Sequence, residues 1–127
     1  MPSKPEFNVY QSPEYAQGIG FQEMGLYPQA FDAFFKVEKA DLERTFRKCC
    51  EMACSDQLEE RQIELLFLEL DEEVWKKNGP AVFNYGLVLE HLEEFEKANQ
   101  LFILADALNI PEAKEAAMRM LVKIKRS

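Results

Sequence analysis

Six pairs of residues in this sequence stand 68 positions apart. Gly18 matches Gly86, Phe21 matches Leu89, Tyr27 matches Phe95, Ala30 matches Ala98, Phe34 matches Phe102 and Val37 matches Ala105. Sixty-eight is twice 34, and a 34-residue period is the length of one helix–turn–helix unit in a helical repeat array. A unit of that size cannot bury its own apolar face, so units stack and share a continuous core. The pattern predicts that Gly18 and Gly86 let a paired helix come close. Ala30 and Ala98 are the small residues expected to face them. Tyr27, Phe34, Phe95 and Phe102 are expected to fill the gaps between helix pairs.

The rest of the chain reads as helix from residue 12 onward, with scarce glycine, prolines at segment ends and no long β-branched run. Ser12-Pro13 opens the first helix, since serine caps free amides and proline suits the first helical turn. Met24-Gly25-Leu26 breaks it. A second helix is expected from about Tyr27 to Lys39, burying Ala30, Phe31, Phe34 and Val37, and a third from Asp41 through Cys54. Asp56 with Glu59 resembles a capping box, opening a helix through Ile63, Leu66, Phe67 and Leu70 to about Lys77. Asn78-Gly79-Pro80 is a stop and restart. Helices to about Leu92 and from Phe95 to Leu108 follow, and Pro111-Glu112 starts the last one. Its apolar stripe is Ala113, Ala116, Ala117, Met120, Leu121 and Ile124. Lys114, Arg119, Lys123, Lys125 and Arg126 are placed outside.

Tyr85-Gly86-x-x-Leu89 followed by Ala98-x-x-x-Phe102, with Pro111 beyond, resembles the tetratricopeptide repeat family. Gly18-x-x-Phe21 with Gly25-x-Tyr27-x-x-Ala30-x-x-x-Phe34 is similar to it as well. The middle copy is degenerate. Its small residue falls at Met52 or, with a one-residue slip, at Ala53, and its facing residue at Glu64 or Leu65. The resemblance implies an all-α, TPR-like right-handed superhelix of about three helix–turn–helix pairs plus a C-terminal capping helix. The expected divisions are an extended N-terminal arm over 1–11, three hairpins over 12–110 and the capping helix over 111–127.

Charge narrows the function classes. The net charge is −8, opposite in sign to that of a chain built to displace cations from nucleic acid. Residues 56–73 hold eight acids against Arg61 alone. They fit a solvated face, or a patch for a basic partner that includes the chain's own basic tail in the same molecule or another. No apolar run reaches the ~18 residues of a membrane span, and the N-terminus lacks the apolar centre of a signal peptide. The expectation is a soluble, cytoplasmic chain. Cys49, Cys50 and Cys54 read as small buried hydrophobes, since His91 is the sole histidine and a closed zinc site needs four ligands. The sequence has no phosphate loop, no dinucleotide fingerprint, no nucleophile elbow and no His-x-x-x-His pair. The expectation is a protein that is not an enzyme, with no catalytic residues, no metal and no cofactor.

The family resemblance implies a concave surface lined by the first helix of each pair and used to bind protein segments. Tyr15, Ile19, Phe46, Cys49, Phe83 and Leu87 would line it, with Gln22, Glu23, Glu90 and His91 on the rim. Asn84 matches an asparagine that in the family hydrogen-bonds a bound backbone. The subgroup that clamps acidic chaperone tails uses basic residues where this chain has Tyr15, Ile19 and Pro80. An apolar groove with an acidic rim instead suits an apolar or amphipathic segment carrying positive charge, and secretion chaperones built on this repeat resemble that description. The implied function is an adaptor or chaperone-like protein-binding module. Tyr15, Ile19, Phe83 and Leu87 fit a plain core equally well. The arm, with Phe7, Val9 and Tyr10, has room to lie in the groove or against a second copy. A structural or homo-oligomerising module, a regulatory enzyme subunit and a small α-helical enzyme stand as alternatives.

Overall fold

The structure is a computed structural model that describes residues 13–36 and 42–126, with residues 42–46 as backbone only. These residues form seven helices and no strand: α1 Pro13–Glu23, α2 Tyr27–Phe35, α3 Leu42–Cys54, α4 Glu60–Trp75, α5 Gly79–His91, α6 Phe95–Ala107 and α7 Ala113–Arg126. Val37, Asp41, Ser12 as a cap, and the 1–11 arm lie outside the described residues. Close packing runs α1 on α2, α2 on α3, α3 and α4 on α5, α5 on α6, and α6 on α7.

The hairpins α1–α2 and α5–α6 repeat each other in detail. Gly25 and Glu93 both adopt left-handed backbone, at φ 75° and 63°. Leu26 N donates to Phe21 O and Glu94 N to Leu89 O, each at 2.9 Å. These bonds close the first helix and aim the chain back along it. Tyr15 tilts on Phe34 and Phe83 on Phe102, both with ring centroids 5.5 Å apart. A Cβ on Gly18 would stand 2.5 Å from Phe34 Cε1, and one on Gly86 would stand 2.6 Å from Phe102 Cε1. The group facing each glycine is therefore an aromatic ring, where the sequence suggested alanine. Ala30 and Ala98 are fully buried nearby.

The middle of the chain departs from that plan. The 34-residue register puts Met52 where the outer hairpins have glycine and Leu68 where they have the ring. A methionine side chain leaves no hole for a large residue from the next helix. Instead α3 ends early: Asp56 takes the left-handed position at φ 57°, three residues ahead of register, and Gln57 N donates to Met52 O. Asp56 thus closes α3 and does not cap α4. Glu59 holds the N-cap position, and its N–H donates to Gln62 Oε1 at 3.0 Å. The inward residues of α4 are Gln62, Leu66, Leu70 and Glu73. The register would have turned residue 68 inward, so α4 is rotated by about 200° at ~100° per residue. Glu64 and Leu65 face solvent, and α4 packs on α5 and α2 and not closely on α3.

Against α5, the Phe67 and Tyr85 rings lie 5.4 Å apart, and Tyr85 OH donates to Asp71 Oδ1 at 2.7 Å. Against α2, the fully buried Gln62 donates to Pro28 O at 2.7 Å and to Asp32 Oδ1 at 3.0 Å. α7 closes the far end through Ala113, Ala116 and Met120. Arg119 is exposed as expected and Lys123 is half-buried, and both reach Glu90 on α5. Leu121 is half exposed and lies outside the buried stripe.

Candidate functional site

The turn between α4 and α5 sets up the site. Lys77 takes left-handed backbone, and Asn78 caps α5 by accepting from Ala81 N at 3.4 Å. Its amide donates to the buried Glu73 carboxylate at 2.8 Å, tying the cap to the core. Proline in the first turn suits a position whose N–H has no helical partner. A Cβ on Gly79 would meet Ile110 Cδ1 at 3.0 Å, so the start of α5 lies against the α6–α7 turn.

That contact forms one end of a cavity of about 470 Å³. Pro80, Phe83, Asn84 and Leu87 of α5 make its floor. Ile110, Pro111 and Glu112 close one side, and Arg47 and Glu51 of α3 the other. The floor is rigid because Phe83 rests on Phe102, which is itself fixed over Gly86. Asn84 Nδ2 donates to Pro80 O at 3.0 Å, leaving its oxygen without a partner among the described residues. The rim carries one cation, Arg47, and two carboxylates, Glu51 and Glu112. Its floor is mostly apolar and its sides carry the charged groups, as in a site for a ligand with an apolar body and a polar edge.

Three of the expected groove residues, Phe83, Asn84 and Leu87, line this cavity. Tyr15 and Cys49 are core residues, 6% and 1% exposed, and offer no surface to a partner. Lys48 Nζ lies 6.0 Å from the Tyr15 ring centroid, and Phe83 is half-buried where Tyr15 is buried. Ile19 is half-buried against the same core. Gln22 is half-buried on α1, away from the cavity lining. The Phe46 side chain lies outside the described residues. Glu90 does not stand on the rim: it accepts from Arg119 at 2.7 and 2.8 Å and from Lys123 at 2.8 Å. His91 pairs with Asp56 at 2.8 Å. The far walls, Arg47, Glu51 and Ile110 to Glu112, are additions that only the packing of α3 and the α6–α7 turn reveals.

The Arg119 bond to Glu90, reinforced by Lys123, holds that carboxyl below the usual range. A carboxyl lowered in the folded state stabilises the fold above its unfolded pKa, and that contribution is lost as pH falls through the folded pKa. Glu90→Gln is expected to cost about 1 kcal/mol at neutral pH, because Arg119 is partly solvated. It should also flatten the acid limb of stability against pH. Urea melts of both proteins from pH 7 to pH 3 would check both effects.

Burial pushes the Cys49 thiol up to about 12 and raises Cys50 and Cys54, so all three are thiols at neutral pH and poor nucleophiles. Among the described residues no group of three or more His, Cys, Asp or Glu side chains is placed to hold a metal ion. No described helix is long and apolar enough to cross a membrane. Comparisons with protein families, curated proteins and solved structures return no match to this chain.

Proposed function

We propose that this chain is a non-catalytic protein-interaction module of the tetratricopeptide type that binds a segment of a partner in the cavity over Phe83 and Leu87. The observation that carries this is the cavity itself: an apolar floor on a rigid aromatic support, with an open amide oxygen at Asn84. The matching α1–α2 and α5–α6 hairpins support the repeat assignment. A bound segment buries one or two apolar side chains against Phe83, Leu87 and Ile110. Its backbone N–H is within the chemistry of Asn84, an acceptor. Two carboxylates against one guanidinium on the rim favour a segment with basic neighbours. The action is that of an adaptor or chaperone in the cytoplasm.

Selection from a displayed peptide library, followed by binding measurements on the winners, tests this. Leu87→Glu places a charge on the apolar floor and is expected to weaken the selected peptides about thirtyfold, with its helical circular dichroism intact. Arg47→Glu is expected to shift selection further toward basic peptides. Winners that bind wild type and Leu87→Glu equally would show that this cavity is not the binding site.

A further inference from the structure

We propose that a second copy of this chain docks the outer face of its α7 onto the outer face of α4. Because α4 is rotated out of register, it turns an apolar stripe to solvent: Leu65, Leu68 at 65% and Trp75 at 87% exposed. Residues three, seven and ten apart share one helix face. Glu72 lies within this stripe, and Glu64 and Asp71 flank it, all exposed. The outer face of α7 is the counterpart, with Met118 at 61%, Leu121 at 50% and Val122 at 48% exposed. Lys114 and Lys125 stand at its two ends, exposed and without an ion pair among the described residues. Glu64 to Trp75 and Lys114 to Lys125 each span about 16 Å of helix at 1.5 Å per residue.

The two stripes match in length and in apolar content, and Lys114 and Lys125 oppose the acids of α4, with the exposed Glu115 at the edge of the α7 stripe. They do not meet within one chain, since α4 and α7 make no substantial approach and both stripes are open to solvent. A second copy supplies each stripe with its complement. The contact joins different faces of the two molecules, so it either closes into a ring or runs on as an open stack. Lysine ends over Trp75 and Glu64 add cation–π and ionic attraction to the apolar burial.

Sedimentation velocity on the full chain, from micromolar to near-millimolar, tests the proposal together with the emission of Trp75, the sole tryptophan. Average mass is expected to rise with concentration, and Trp75 emission to shift to the blue in step as the ring leaves water. Two charge-reversed chains sharpen the test. Lys114→Glu/Lys125→Glu and Glu64→Lys/Glu72→Lys should each weaken self-association by more than about tenfold, with unchanged helical circular dichroism. Mixed together they should associate again, because each chain now complements the other at both stripes. Wild-type chain that stays monomeric throughout would overturn the proposal and leave these faces to a different protein. Association that neither reversed chain weakens, or that leaves Trp75 emission unmoved, would overturn it in favour of another surface.

Discussion

Gly86→Val is expected to destabilise the chain by about 3 kcal/mol, the result of forcing a branched side chain into a filled space. Against a typical domain stability of ~5–15 kcal/mol, that is a large share. The cause is local and specific. The Cβ position lies 2.6 Å from Phe102 Cε1, and Phe102 is fully buried. Gly86→Ala and Gly18→Ala each add only the Cβ, and should cost about 1–2 kcal/mol, less what alanine returns in helix propensity. Gly20 is the internal control. It lies in the same helix as Gly18, but a Cβ there meets nothing within 4 Å. Gly20→Ala is therefore expected to stabilise by about 0.5–1 kcal/mol. Urea unfolding midpoints at constant slope measure all four changes. If Gly86→Ala stabilised as Gly20→Ala does, the ring would not be over the glycine.

The second large effect is expected at Gln62. Its side chain is fully buried and makes three bonds: it donates to Pro28 O and Asp32 Oδ1 and accepts from Glu59 N. Gln62→Leu keeps the volume but leaves the Glu59 amide without its acceptor and removes the bonds to Pro28 O and Asp32 Oδ1, which costs about 2 kcal/mol. Gln62→Glu is worse at neutral pH, about 3 kcal/mol, because it buries a carboxylate beside Asp32. Both should loosen α4 from α2 while the α5–α6 hairpin stays protected, a pattern that amide hydrogen exchange resolves.

These effects bear on how the fold can be read from residues. The outer hairpins were legible because each needs a hole, a ring and a turn at fixed spacing, and only glycine makes the hole. The middle was not, because Met52 removes the hole and the consequence falls on α4, sixteen residues away. Asp56 misled for a chemical reason. Aspartate suits helix N-caps and also tolerates left-handed backbone, and its neighbours do not say which role applies. The pairing of Arg119 and Lys123 with Glu90 was not legible, because Glu90 is about thirty residues upstream. The site was legible on one wall only. The resemblance to the repeat family pointed to Phe83, Asn84 and Leu87 on α5, and the cavity opens over them. Tyr15 occupies the same position 68 residues earlier, yet it is buried. No local pattern distinguishes the covered copy from the open one.

Phe83 and Leu87 carry the functional proposal. The most direct test is an amide chemical-shift titration of the chain with a library-selected peptide. Binding in the cavity predicts the largest shifts at Arg47, Glu51, Phe83, Asn84, Leu87, Ile110 and Glu112, with α4 and the outer face of α7 quiet. Largest shifts along α4 or the outer face of α7, with Phe83 and Leu87 unmoved, would contradict it.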